Sequence, residues 1–410
     1  MKYISLNQLR YKDSDKYEAE YRKRFNSEYA IKLDLYIHGS QAFYLETNDL
    51  LKKIIEMQRI DKEIHDLVLS LPGISVKHFT KRCLIDEIVL SNNIEGVSST
   101  RREIEDILIE LGRKNKRKRF YGLVKKYYML MTRQDIVLDQ AQDIRSLYNE
   151  LVLPEVIEDD SNNAPDGKLF RKDSVTVYSP SGKTLHCGVY PESEIINSIN
   201  AALHYLNNSD NELLFRISVF HYLFGYIHPF YDGNGRTSRF ISSYLLSQYF
   251  EPAIAFRLSY TIKENLKEYY NAFKTCNDRF NKGDITPFIY VFFEIIEKSL
   301  YQLKDALEKR LQLLDHYSKN IPILPNVYLN GAIYSLLIQA ALFSDSGIST
   351  RELIEIAEIS RSTLSNRIKS IDSRLIKKNK IGTENYYSLN LQYYDTLIAA
   401  ERDNSLNKSN

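Results

Sequence analysis

Apolar residues recur at three- and four-residue steps through "NDLLKKIIEMQRIDKEIHDLVLSL" (48–71), which predicts an amphipathic helix. The stretch "LLFRISVFHYLFGYI" (213–227) is apolar on nearly all faces and predicts a buried central helix. Further on, "SLYQLKDALEKRLQLLDHYSKN" (299–320) reads as a charged amphipathic helix, and "IPILPN" (321–326) breaks the pattern with two prolines. A domain boundary is expected there. Strand signals are few. One hairpin is predicted in "DSVTVYSPSGKTLHCGVY" (173–190), where β-branched and polar residues alternate around a Pro-Ser-Gly turn. The pattern as a whole predicts a mainly α fold.

A chain of 410 residues can bury a sizeable core and is expected to hold two or three domains. Its net charge of +2 marks it as neither a general nucleic-acid binder nor a membrane-surface protein. No apolar run is long enough to span a bilayer, and the start "MKYISLNQLRYKDSDKY" lacks the apolar segment of a signal peptide. The three cysteines, Cys83, Cys187 and Cys276, show neither metal-ligand nor disulfide spacing. A reduced, cytoplasmic protein with no membrane partner is expected. "SGKT" (181–184) resembles the end of a P-loop but has Val177 where that motif needs glycine, and no helix follows. The basic run "GRKNKRKR" (112–119) reads as a solvated loop or helix end.

Candidate chemistry concentrates in "HPFYDGNGRTSR" (228–239). Pro229 ends the buried helix just after His228 and places the imidazole at the helix mouth. "DGNG" supplies a turn whose glycines tolerate positive φ, and "RTSRFISSYLLSQYF" restarts a helix. A nest of backbone N–H groups feeding a helix N-terminus is a site for anionic oxygens. Asp232 beside it makes sense if a divalent cation bridges the carboxylate to phosphate. Arg236 and Arg239 lie three apart and can fork onto phosphate oxygens. His228 is then free to accept a proton from an attacking hydroxyl.

These twelve residues resemble the signature of the Fic family, His-Pro-Phe-x-(Asp/Glu)-Gly-Asn-Gly-Arg-x-x-Arg, at every defined position. The resemblance implies a Fic-fold helical bundle with a β-hairpin flap, and transfer of AMP from ATP, with Mg²⁺ or Mn²⁺, onto a serine, threonine or tyrosine hydroxyl of a target protein. It implies that His228 is the general base, that Asp232 holds the metal, and that Gly233, Asn234 and Gly235 cradle phosphates. Arg236 and Arg239 would bind the outer phosphates. By the same resemblance the hairpin is the flap, with Val175, Thr176, Val177, Thr184 and Leu185 clamping an extended target segment by strand addition. Tyr270 and Asn277, in "EYYNAFKTCN" (268–277), resemble the nucleoside pocket.

Upstream, "LIDEIVLSNNIEGVSSTRREIEDIL" (84–108) places Ser91 and Glu95 one helical turn apart, with Gly96 as C-cap. A carboxylate in the last turn opposes the helix dipole at a cost of roughly 0.3–1 kcal/mol unless a cation offsets it. "SNNIEG" also resembles the inhibitory motif Ser/Thr-x-x-x-Glu-(Gly/Asn) of Fic enzymes that carry their inhibitory helix in the same chain. In that class the glutamate pairs with the second signature arginine, here Arg239, and blocks productive placement of the γ-phosphate. In some relatives the same glutamate activates water to remove AMP.

The segment 331–390 reads as helix, helix, turn, helix and hairpin, with Ser349 and Glu352 at capping-box spacing. It resembles a winged helix-turn-helix domain, with "SRSTLSNRIKSI" (360–371) as recognition helix. Arg361, Arg367, Lys369, Lys377, Lys378 and Lys380 suit phosphate contacts with DNA. The same fold also serves as an interaction or dimerisation module, so a homodimer stays open. The expected organisation is an N-terminal helical region (1–120) with the inhibitory helix at about 83–96, a Fic core (121–300), a connecting helix and linker (301–326), a winged helix-like domain (327–395) and a tail (396–410). Beside an autoinhibited adenylyltransferase, two readings stand: a DNA-binding regulator using the Fic fold as nucleotide sensor, and a Fic transferase with a different donor.

Overall fold

The computed structural model describes residues 3–111, 118–178 and 184–409, with only the backbone at Tyr178, Thr184, Leu185 and 404–409. Most of the basic run (112–117) and the hairpin tip (179–183) lie outside the described residues. The chain divides into two units, Met1–Lys62 with Leu84–Gln302, and Glu63–Cys83 with Leu303–Asn410. No helix among the described residues is long and apolar enough to cross a membrane.

The first unit opens with α1 (Leu6–Lys12) and α2 (Ser14–Phe25), then the antiparallel hairpin of β1 (Ala30–Ile37) and β2 (Ser40–Leu45). Next come α3 (Asn48–Leu69) and α4 (Gly73–Ile94), each of which contributes residues to both units. They are followed by α5 (Arg101–Glu110), α6 (Tyr121–Met131), α7 (Ala141–Leu151) and α8 (Leu153–Asp159). The antiparallel pair β3 (Thr176–Tyr178) and β4 (Thr184–Cys187) precedes α9 (Glu192–Asn208), α10 (Leu213–Ile227) and α11 (Asn234–Tyr249). The series closes with α12 (Leu258–Glu264), α13 (Leu266–Cys276) and α14 (Thr286–Lys319).

The expected central helix is α10. Twelve of its 15 residues are buried, which is why its sequence shows no polar stripe. It packs against α9 and α11, and Phe292 of α14 stacks on His221 with ring centroids 4.5 Å apart. Each fully buried Leu, Ile or Phe there stabilises the fold by roughly 1.5–3 kcal/mol. The helix ends where His228 turns left-handed (φ 53°, ψ 63°), one residue before Pro229.

In the second unit, α15 (Val327–Phe343) leads through the short β5 (Ile348–Ser349) into α16 (Thr350–Ile356) and α17 (Arg361–Ser370). Strands β6 (Ile376–Ile381) and β7 (Glu384–Leu389) complete a sheet of order β5-β7-β6, and α18 (Leu391–Ser409) follows. Ser349 and Glu352 form the expected capping box. Arg361 and Lys369 are exposed on α17 and Arg367 is half-buried; Lys377, Lys378 and Lys380 are exposed on β6.

Four expectations about organisation are corrected. The N-terminal region is not wholly helical: β1 and β2 join through His38 and Gly39, both at positive φ, as a two-residue hairpin turn requires. Residues 63–83 of that region belong to the second unit. The joint at 300/301 falls inside α14, one uninterrupted helix, and the prolines of 321–326 only turn the chain between α14 and α15 within the second unit. The expected tail is helix α18, anchored by the buried Tyr394, whose hydroxyl donates to the Tyr317 carbonyl at 3.1 Å.

Candidate active site

The loop from His228 to Gly233 is held from both sides. Phe230 is fully buried and stacks on Tyr148 of α7, ring centroids 3.6 Å apart. Asn234 takes the Phe230 N–H on Oδ1 at 3.0 Å and returns Nδ2 to the Phe230 carbonyl at 2.8 Å. Both ends of the amide close the loop, and what Asn234 can still offer an anion is backbone. Gly233 sits at φ +77°, which a side chain rarely adopts. The turn delivers the chain into α11, whose first-turn N–H groups lack helical partners.

The two signature arginines are both fully buried but differently placed. None of the three Arg236 guanidinium nitrogens has a hydrogen-bond partner, and its Nη2 lies 3.8 Å from Asp232 Oδ2. Glu155 of α8 is buried in the same neighbourhood; burial pushes its carboxyl up to about 7, with Arg236 pulling the other way. A buried guanidinium without acceptors costs stability unless a ligand supplies them. Arg239 is fully engaged. Its Nε donates to Ser91 Oγ (3.0 Å), Nη2 to the Ser91 carbonyl (2.8 Å) and Nη1 to Glu95 Oε1 (2.8 Å).

Those partners come from the end of α4, which closes in Gly96 at φ +76°. The Glu95 carboxylate also lies against Gly235, where an added Cβ would run into Glu95 Oε1. Glu95 therefore stands at the N-terminus of α11, where an anionic oxygen is favoured. One helical turn before Ser91, the buried Glu87 fastens α4 to the start of α12. Its Oε2 accepts the Ser259 N–H at 2.8 Å and its Oε1 the Ser259 hydroxyl at 2.5 Å. Burial pushes Glu87 up to about 7, against those bonds and Arg239.

A cavity of about 250 Å³ is lined among others by Glu95, Thr176, His228, Arg239, Tyr270 and Asn277, while Asp232 and Arg236 are not among its lining residues. Val175, Val177 and Gly235 also line it. Asn277 accepts the Tyr222 hydroxyl on Oδ1 at 2.7 Å, which leaves its buried Nδ2 without a partner. The half-buried His228 is held down to about 3 by burial, by the His186 ring and by Arg171, against a bond to the Gly225 carbonyl. It is therefore a neutral imidazole. A neutral imidazole keeps one nitrogen lone pair able to take a proton. Of the flap residues expected at the site, Val175, Thr176 and Val177 are brought to it, while the side chains of Thr184 and Leu185 lie outside the description.

Glu87, Glu155, Arg171 and His186 escaped the sequence reading. Spacing betrays only Glu87, which precedes Ser91 and Glu95 by four and eight residues on one helix face.

The Fic/DOC family model matches residues 137–246. Over 100 residues the chain is 34% identical to protein adenylyltransferase Fic of Drosophila grimshawi, covering 24% of this chain and 19% of that protein. With the protein of the same name from Culex quinquefasciatus it shares 31% over 113 residues, 28% of this chain and 19% of that one. The chain thus spans only 19% of the length of each of these relatives. Among solved structures, a Fic family protein from Desulfovibrio desulfuricans aligns with 84% of this chain and 97% of its own at 19% identity, TM-score 0.46. A fragment of Fic-1 from C. elegans aligns with 74% and 81% at 17% identity, with the same score.

Proposed function

Residues 137–246 belong to the Fic/DOC family, and on that premise we propose that the chain transfers AMP from ATP to a hydroxyl side chain of a target protein and is restrained by its own Glu95. One contrast carries the reading. Arg236 has no hydrogen-bond acceptor, while every nitrogen of Arg239 is taken by Ser91 and Glu95. Arg236 and the first turn of α11 suit a polyphosphate. Arg239 can join them only if Glu95 withdraws.

Tyr270 and the free Asn277 Nδ2 suit the nucleoside, and Val175 to Val177 a target segment beside His228. The target oxygen attacks the α-phosphorus, its proton passes to the unprotonated His228 nitrogen, and the bond to pyrophosphate breaks. Triphosphate charge beside His228 would raise its depressed affinity for that proton.

Among the described residues no group of three or more His, Cys, Asp or Glu forms a metal cage. Asp232 fits a magnesium ion that arrives with the nucleotide, because such ions take one or two carboxylates and fill their shell with phosphate and water. Its carboxylate is 39% exposed and meets Arg236 only at 3.8 Å. Magnesium bound there would neutralise charge on the phosphates.

ATP labelled in parallel at the α- or the γ-phosphate tests the chemistry. Label from the α position should stay on protein hydroxyls, and γ label should leave as pyrophosphate. Retained γ label would contradict the reading, and label from another nucleotide alone would point to a different donor.

A further inference from the structure

Arg171 is fully buried, and its guanidinium contacts are to main-chain carbonyls: His228 (Nε, 2.9 Å), Asp173 (Nη1, 2.5 Å), Val189 (Nη2, 2.7 Å) and Ile227 (Nη2, 3.4 Å). Two of these carbonyls belong to the end of α10, which carries the base. The other two flank the hairpin β3–β4 on either side. A cation at a helix C-terminus compensates the dipole, and here it does so for the helix that presents His228.

The surroundings are shaped to hold it. Glu192, at the start of α9, accepts the N–H groups of Lys168, Leu169 and Phe170 at 2.8–3.0 Å, fixing the segment that leads to Arg171. Asp166 takes the Lys172 N–H at 2.9 Å and the Tyr231 hydroxyl at 3.0 Å. Gly188 is required, because a Cβ would stand 2.5 Å from Arg171 Nη2 and 3.2 Å from the His228 Cβ.

We propose that Arg171 is a positioning residue whose guanidinium locks His228 and the hairpin β3–β4 into one unit, so that the base and the target segment keep a fixed separation. The inference rests on the transferase reading, with Val175 to Val177 as the target strand. The same charge adds to burial and to the His186 ring in holding the imidazole neutral. The titratable groups facing His228 are Arg171, from the segment before β3, and His186 of β4. His186 bonds the Tyr226 carbonyl of α10 at 2.9 Å, and Tyr231, from the signature loop, acts on Arg171.

The test uses Glu95→Gly protein with Arg171→Met or Arg171→Lys added. Thermal unfolding and ATP-binding stoichiometry count the folded sites. Per folded site, both variants should lose about 10²-fold in kcat with KM for ATP within about twofold, since misplacement by an ångström has that effect. NMR titration of His228 provides a readout without turnover. The Met variant should titrate about one unit higher, because a neighbouring positive charge is gone, and the Lys variant close to the parent. The acid limb of the rate profile should follow the same order. If the Met variant does not fold, the Lys variant still tests the fork through kcat. An unchanged kcat per folded site, or a His228 titration that ignores Arg171→Met, overturns the proposal. A Glu95→Gly parent that transfers nothing while His228 shifts as expected would instead overturn the transferase reading.

Discussion

Glu95 Oε1 lies 2.8 Å from Arg239 Nη1, a contact between residues 144 positions apart. Arg239 is buried, so removing the carboxylate leaves a cation that only a new anion can compensate. Glu95→Gly should tighten ATP binding about 10–100-fold, equivalent to roughly 1.4–2.8 kcal/mol. Adding Arg239→Ala should reverse the gain. Calorimetric titration with ATP and magnesium measures both, and equal affinity in wild type and Glu95→Gly would refute the competition.

How much of this was legible beforehand follows from what sequence patterns encode. The helix 213–227 and its stop at Pro229 could be read because burial on every side and a missing N–H leave local traces. The signature loop and "SNNIEG" could be read because their spacing is fixed within a few residues. That the Asn234 amide staples its own loop could not be read, because in sequence it looks like one that faces a ligand. Arg171 left no trace at all: its partners are main-chain carbonyls, which any residue supplies. The β1–β2 hairpin did leave one. "AIKLDLYI" alternates apolar and polar residues ahead of His38 and Gly39, but the helical signal around it dominated.

His228 occupies left-handed backbone, so alanine would strain the loop as well as remove the base. His228→Asn tolerates that conformation. In a Glu95→Gly background it should lower transfer about 10²–10⁴-fold, with ATP affinity and unfolding temperature nearly unchanged. A variant that still transfers at the parent rate would remove His228 from the chemistry.

Arg236 is a buried charge without a hydrogen-bond acceptor, so its presence opposes stability in the free protein. Arg236→Met should stabilise the fold by about 1–3 kcal/mol in denaturant titration. The same variant should lose the stabilisation that ATP and magnesium give the wild type. A destabilised variant that still responds to ATP would show that Arg236 serves the fold.

Glu87 lies on the same helix as Ser91, the residue that holds Arg239, and its carboxyl also feels the Arg239 charge. Glu87→Ala leaves the Ser259 N–H and hydroxyl unpartnered and should cost about 1–3 kcal/mol. It should also raise transfer to a level between wild type and Glu95→Gly, because α4 loses its tie to α12. Glu87 is held up at about 7 against an ordinary 4.5, so the folded state keeps a proton there that the unfolded chain has released. The stability this contributes is full below pH 4.5 and is lost as pH rises towards 7. Wild type should therefore lose stability relative to Glu87→Gln over that window by about 1.4 kcal/mol per pH unit. A constant difference between the two would contradict the assignment.

The proposal that this chain transfers AMP and is restrained by its own Glu95 meets its strictest check in one comparison. Side-by-side incubation of wild type, Glu95→Gly and Glu95→Gly/His228→Asn with ATP labelled at the α-phosphate, scoring label on exposed hydroxyls of the chain and of added lysate protein, tests it most directly. Strong labelling by Glu95→Gly, far less by wild type, and none above background by the double variant are expected. Labelling by wild type equal to that of Glu95→Gly, or labelling that survives His228→Asn, would contradict it.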